Sequence, residues 1–270
     1  MHGFKIRSLR VRNMKLSWLN LEDKVAVVTG GGSGIGRACC LELARNGARV
    51  CVADIMQENG EAVLKEIESI GGMHSFGKTD VTSLDSVFAM ASAANEKLGG
   101  LDILVNNAGV FRTVPVMETT EEIWDEQLTL NLRSCFFFVK SLVPHWRESG
   151  GGKVINISSI AGTGAFPNCP AYCASKGGLV NLTRALAAEL GKEQINVNSI
   201  APGNVATALN AHVRGPGNEE YMALMKTLTP TGIDFLDVED MTGTAVFLAS
   251  DDSKMIHGET ILVDAGWSVW

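Results

Sequence analysis

At 270 residues the chain sits between one large domain and two small ones, on a prior of ~100–200 residues per domain. With 46% apolar and 20% charged residues the composition is that of a folding protein and excludes disorder, and a formal charge of −7 speaks against a nucleic-acid-binding surface, which needs clustered cations. No run approaches the ~18 consecutive apolar residues of a membrane span.

The chain opens on a basic extension, 1–20, in which Lys5, Arg7, Arg10, Arg12 and Lys15 stand with no acid before Glu22. Two readings stay open. Arg-rich, acid-poor segments of this kind direct proteins to organelles; alternatively Met14 is the functional start. The second is preferred and leaves the protein in the cytoplasm. From 21 onward, apolar β-branched runs at 25–28, 50–53, 101–105, 154–157, 195–200 and 261–263, with a weaker one at 74–78, alternate with helical patterns near 35–46, 57–70, 83–98, 120–148, 171–190 and 238–250. The strand runs are mostly continuous rather than alternating, which indicates strands covered on both faces. Alternation of strand and helix predicts a single α/β domain over 21–270, with a doubly wound, mostly seven-stranded parallel sheet of the Rossmann type. Ligands of such sheets bind beyond the carboxyl ends of the strands. The six cysteines (Cys39, Cys40, Cys51, Cys135, Cys169, Cys173) show no CxxC pair and no disulfide framework, and read as small buried hydrophobes in a reducing compartment. The five histidines are scattered, and no metal site is expected.

After the first strand comes Thr29-Gly30-Gly31-Gly32-Ser33-Gly34-Ile35-Gly36, leading straight into a helical pattern. Glycines there let the backbone turn sharply and approach a pyrophosphate, which the helix N-terminus then stabilises. The second strand ends at Asp54, 20 residues past Gly34. A carboxylate at that place accepts the ribose hydroxyls of adenosine and repels a 2′-phosphate; its competing reading is a cap for the following helix. Ser33 leaves the loop without a basic residue there, so NAD is expected over NADP. After the fifth strand, Ser158-Ser159 precedes Tyr172-Cys173-Ala174-Ser175-Lys176. Tyr172 and Lys176, four apart, share a helix face, and a cation held beside a phenol lowers its pKa from about 10 towards neutrality.

In order and spacing, from about 21 to 266, these motifs resemble those of the short-chain dehydrogenase/reductase family. The family's glycine motif falls on Thr29 through Gly36, and its Asn-Asn-Ala-Gly on Asn106-Asn107-Ala108-Gly109. Its active-site Ser, 13 positions before the Tyr, falls on Ser159. The resemblance implies a catalytic set of Asn131, Ser159, Tyr172 and Lys176. It further implies a cofactor site of Gly30, Ser33, Gly34, Ile35, Gly36, Asp54, Asp80, Val81, Asn107, Ala108, Gly109, Tyr172, Lys176, Pro202, Gly203, Val205 and Thr207. Asp80-Val81 matches the pair that contacts adenine, and Thr207 the nicotinamide carboxamide contact. The chain departs from the family at Thr231-Gly232-Ile233-Asp234, where an Arg is common, and at Lys254-Met255-Ile256-His257-Gly258, both bearing on substrate and subunit contacts.

The chemistry so implied is hydride exchange between a secondary alcohol and its ketone. Tyr172 moves the hydroxyl proton, Lys176 lowers the phenol pKa and holds the nicotinamide ribose, Ser159 donates to the substrate oxygen, and Asn131 positions a relay water. The alternative inside the family is a 3-oxoacyl thioester reductase. Outside it stand an NAD-binding structural or regulatory protein and a serine hydrolase on Ser175, which lacks the first Gly of a nucleophile elbow. Substrate-shaping segments are expected at 110–112, 161–168 and a flexible loop at 204–228, whose Val110, Phe111, Phe166, Leu209, Met222 and Met225 serve equally as core. The substrate is expected to be a neutral small molecule, since only Arg112 and Arg214 offer cations there. A homotetramer is expected from the apolar faces of the helices near 120–148 and 171–190, with Trp267 and Trp270 either at a second interface or in a frayed tail. No nucleic acid or membrane partner is expected.

Overall fold

The computed structural model describes residues 19, 21–215 and 217–270, so the basic extension and its two readings lie outside the described residues except for Leu19. The first strand, β1 (Val25–Thr29), is buried along its whole length because successive side chains enter different cores. Val25 and Val27 join one, Ala26 and Val28 the other. Six more strands follow: β2 (Arg49–Asp54), β3 (Ser75–Lys78), β4 (Ile103–Asn106), β5 (Gly152–Ile157), β6 (Ile195–Pro202) and β7 (Thr260–Val263). They form the seven-stranded parallel sheet that the sequence predicts, in the order β3-β2-β1-β4-β5-β6-β7.

Helices α1 (Gly34–Arg45), α2 (Gln57–Glu68) and α9 (Thr242–Ala249) cover one face through residues such as Leu43, Ile67 and Val246. On the other lie α3 (Leu84–Leu98), α5 (Ser134–Ser149) and α7 (Pro170–Leu190), with Val87, Phe138, Trp146 and Leu186. Trp146 is fully buried and still satisfied, its Nε1 donating to Leu101 O at 2.7 Å. Among the described residues no helix is long and apolar enough to cross a membrane.

Three expected elements differ from their patterns. The helix expected over 120–148 is α4 (Glu121–Leu128), a π turn at Thr129–Arg133, and then α5. Its apolar period runs on because the backbone stays helical, but the wider turn carries Asn131 into the interior, where it is fully buried. The flexible loop expected at 204–228 holds a 3-10 turn, Ala208–Val213, opened by a reciprocal cap between Thr207 and Asn210, and then α8 (Glu219–Leu228). The helix expected near 238–250 begins as a 3-10 turn, Val238–Met241, before α9.

Parallel register aligns the carboxyl ends: Thr29 lies beside Ala53, Asn106 beside Asn156, and Ile157 beside Ile200. The segments leaving β1, β2, β4, β5 and β6 therefore share one edge of the sheet.

Candidate active site

The turn after β1 closes tightly around its glycines. Gly30 and Gly34 adopt φ of +60° and +53°, and a Cβ on Gly36 would lie 2.2 Å from Gly30 O. Asn107 ties this turn to β4: its Nδ2 donates to Thr29 O and Gly30 O at 2.9 and 3.1 Å. Thr29 Oγ1 in turn accepts from the N–H groups of Asn107 and Ala108 at 2.9 and 3.0 Å. Ser33 precedes α1 with no side-chain cap, and the first turn carries no acid. The N–H groups of Gly34, Ile35 and Gly36 thus stand outside the helical ladder, with the positive end of the helix dipole behind them. This cradle fits an anionic diphosphate.

Asp54 ends β2 almost fully buried, with Oδ2 accepting from Gly32 N and Oδ1 from Met56 N, both at 2.8 Å. It braces the turn and the entry to α2, so the helix-cap reading has a counterpart here, and each oxygen retains a lone pair for a ribose hydroxyl. Thr79 N donates to Asp54 O at 2.9 Å, which sets the next pair, Asp80 and the buried Val81, beside it. Asp80 Oδ1 accepts from Thr82 N and Oγ1. Beyond β6, Gly203 N donates to Val263 O at 3.0 Å, and a Cβ on Gly203 would lie 2.8 Å from Asp264 Cα. The chain after Pro202 therefore turns close against β7. Val205 is buried in a bridge to Leu236. Thr207 faces Gly34, its Cγ2 3.4 Å from where a Cβ of that residue would be.

A polar ladder fixes α7 against this edge. Asn106 Nδ2 donates to Asn156 Oδ1 at 3.0 Å, and Asn156 Nδ2 to Thr183 Oγ1 at 2.9 Å, all buried. About two turns nearer the helix start, Lys176 Nζ donates to Ile157 O at 2.8 Å and Ser158 Oγ to Lys176 O at 3.3 Å. Ser159 opens a short helix, α6 (Ile160–Thr163), its Oγ accepting from Ala161 N at 3.1 Å. Asn131, on the π turn, grips the loop after β4 through both atoms of its amide: Oδ1 accepts from Val110 N at 2.8 Å and Nδ2 donates to Val110 O at 2.9 Å. The same Nδ2 donates to Ser175 Oγ at 3.0 Å, and Ser175 Oγ donates to Tyr172 O at 2.8 Å. Fully buried and spent in this way, Ser175 has no geometry for a hydrolytic nucleophile.

Electrostatics here run against one expectation. Burial pushes the Tyr172 phenol up to about 12, opposed by a hydrogen bond with Ser159 and reinforced by Cys169 and Cys173. Burial also pushes the Lys176 ammonium down to about 8. Its Nζ lies 5.9 Å from the centre of the Tyr172 ring, and loss of solvent is the largest influence on the phenol in this arrangement.

The residues 30–268 match a family model described as enoyl-(acyl carrier protein) reductase. D-threitol dehydrogenase of Mycolicibacterium smegmatis is 38% identical over 250 residues, 92% of this chain and 94% of that protein. This chain belongs to the short-chain dehydrogenase/reductase family. Another relative, 3-oxoacyl-[acyl-carrier-protein] reductase FabG of Thermotoga maritima, is 34% identical over 92% of this chain and 99% of its own. A crystal structure assigned to an NAD(P)-dependent gluconate 5-dehydrogenase of Beutenbergia cavernae, with NADP bound at low occupancy, superposes with a TM-score of 0.88 at 36% identity, covering 93% of this chain and 99% of that one.

The sequence named Phe111, Phe166 and Trp267 but not the partners that they meet, nor His212 and Thr113. Phe111 packs edge-on to Tyr172, ring centres 4.7 Å apart, and lies 5.8 Å from the His212 ring. His212 Nε2 is 3.3 Å from Thr113 Oγ1. Nothing in the spacing links positions so far apart. Trp267 packs on Phe166 with ring centres at 5.0 Å, and Trp270 Nε1 donates to Leu228 O at 2.9 Å. The C-terminal turn thus folds back over the segments after β5 and β6 rather than fraying. Of the apolar loop residues, Met225 is buried, whereas Leu209 is exposed.

Proposed function

We propose that this enzyme oxidises a neutral secondary alcohol to its ketone with NAD as hydride acceptor. The observation that carries the reading is the convergence of Ser159, Tyr172 and Lys176 at the carboxyl end of β5, beneath an aromatic wall whose neighbouring cations are already engaged. Arg112 is held in a two-point ion pair by Glu126, at 2.9 and 2.8 Å. Arg214 donates to Thr207 O and Asn210 Oδ1, at 2.6 and 3.2 Å. A bound carboxylate or phosphate normally has an Arg or Lys of its own.

A bound nicotinamide supplies the carbon that takes the hydride. Tyr172 accepts the hydroxyl proton, and its high phenol pKa means that this step draws on the electrostatics of the assembled complex. Ser159 donates to the substrate oxygen, Lys176 holds the ribose and returns protons, and Asn131 keeps the loop at Val110 in register with α7. The Asp54 carboxylate supports NAD over NADP by like-charge repulsion. Arg37, the basic side chain next to the cradle, is tied to Glu66. We further propose that the enzyme works in the cytoplasm as a homotetramer.

The test is a panel of neutral alcohols and polyols, matched hydroxy acids and sugar phosphates, and 3-oxoacyl thioesters in the reverse direction, each with both nucleotides. Neutral alcohols with NAD are expected to give the highest kcat/KM, and Asp54→Asn to narrow the preference for NAD. Anionic substrates winning by tenfold, with that advantage erased in Arg112→Ala, would overturn the neutral reading; thioesters with NADPH winning would establish the reductase instead.

A further inference from the structure

Two thiols without a part in the proposed reaction bracket Tyr172. Cys169 is the residue at the N-cap of α7, with a non-helical backbone (φ −149°, ψ 50°), and Cys173 lies in the helix one turn on. Their Sγ atoms are 3.8 Å apart, and both thiols donate to Phe166 O, at 3.6 and 3.9 Å. Cys169 is buried and Cys173 half-buried, so one member of the pair meets solvent and the other backs it. Cys39, Cys40, Cys51 and Cys135 are different: all four are buried, and none of them is the half-buried thiol that Cys173 offers to an oxidant.

We propose that Cys169 and Cys173 are an oxidative modification site at which hydrogen peroxide forms an intramolecular disulfide that displaces Tyr172. The sulfur of Cys173 attacks a peroxide oxygen, the O–O bond breaks, and the products are Cys173 sulfenic acid and water. The sulfur of Cys169 then attacks the sulfenic sulfur, an S–S bond forms, the S–O bond breaks, and the thiol proton leaves with the hydroxyl as a second water. The two thiols lose two electrons and two hydrogens in total, and the peroxide is reduced to water.

The displacement follows from helix geometry. Side chains four apart on a helix have Cβ atoms about 5–6 Å apart, whereas a disulfide holds them at about 3.5–4.5 Å. Bond formation must therefore deform the first turn of α7, and the non-helical Cys169 supplies the freedom. Tyr172 lies inside the closed loop. Its position depends on the turn that the bond tightens, through the Ser175 hydrogen bond to its carbonyl and the edge-on contact with Phe111. Burial, with Cys173 nearby, pushes the Cys169 thiol up to about 12, which keeps the pair reduced until Cys173 has been oxidised. The effect on turnover rests on the function proposed above; the disulfide itself does not.

The experiment titrates the full chain with hydrogen peroxide, blocks free thiols with N-ethylmaleimide and measures the tryptic peptide 154–176, which contains both cysteines. The expected product has lost two hydrogens and takes up no maleimide. Turnover falls at least tenfold in step with it, and dithiothreitol reverses both. Phenylarsine oxide, which bridges close dithiols, is expected to bind one per chain at this peptide, and neither it nor the disulfide should be found there in Cys169→Ser or Cys173→Ser. Addition of two or three oxygens to Cys173 while Cys169 remains open to maleimide would overturn the proposal, as would a disulfide that leaves turnover unchanged. If the reduced protein turns over no alcohol, the functional reading fails in that control, and the peptide mass still decides the pair.

Discussion

Lys176 carries its ammonium into a buried position where it donates to Ile157 O, and its pKa falls to about 8. The unfolded chain holds that proton up to about 10.5, so between the two values the native state binds fewer protons and stability rises with pH. Below about 8 both states are charged and the full burial penalty is present. Wild-type stability is therefore expected to rise relative to Lys176→Met between pH 7.5 and 9.5, at about 1.4 kcal/mol per pH unit at most. Urea unfolding of both proteins reads the difference, and parallel curves would show that Lys176 is not depressed. Tyr172 acts in the opposite sense only from about 10 upward, because its native pKa is raised. At the same scale, Tyr172→Phe is expected to lower turnover by about 10²–10⁴-fold, the usual worth of a general base. Titration calorimetry should show nucleotide binding preserved, since the cradle at Gly30 to Gly36 is untouched. Retention of a tenth of the rate would remove Tyr172 from its role.

Among the elements, α7 depends on its ladder to the sheet. Thr183 Oγ1 accepts from Asn156 Nδ2 and donates to Leu179 O at 2.8 Å, all out of solvent. Thr183→Val keeps the shape and strands the Asn156 amide, at an expected cost of about 1–3 kcal/mol measured by urea unfolding. An unchanged midpoint would mean that the ladder is dispensable. The strands were legible because continuous Val and Ile runs between turn signals have few other uses in an α/β domain. The π turn was not, since Leu128-Thr129-Leu130-Asn131-Leu132 reads as ordinary helix and only the hydrogen bonds of Asn131 to Val110 and Ser175 reveal the wider turn. Likewise α8 was hidden in a stretch read as loop, because it starts without a side-chain cap at Asn218, whose Nδ2 instead donates back to His212 O in the turn that Thr207 and Asn210 cap.

Across the whole molecule, an apolar groove runs between the π turn and α7, lined by Leu128, Leu132, Phe136, Phe137, Leu182 and Ala185. Phe138 and Leu142, on the same helix, turn inward to the core, whereas Phe136 is exposed. Gly178 sits so close to Leu132 that a Cβ would meet it at 2.8 Å, keeping the groove shallow and open to a flat partner. We expect the helices to pair here between copies. Light scattering at micromolar concentration is expected to give the mass of four chains, and Phe136→Glu to give smaller species, because a carboxylate cannot be buried unpaired at such an interface. A wild-type monomer would refute the pairing.

Ser159 was assigned through the family resemblance, while the amino-acid sequence by itself determined the sheet, the alternation of strands and helices, the glycine turn and the pairing of Tyr172 with Lys176. Those are local properties: hydrophobic period, turn chemistry and a four-residue spacing on one helix. Tertiary structure alone decided which groups surround them. Phe111, His212 and Trp267 come from three separate segments, Glu126 takes up Arg112, and burial rather than a neighbouring charge sets the Tyr172 phenol. Desolvation and contacts between distant segments depend on how elements pack, and no spacing along the chain encodes that.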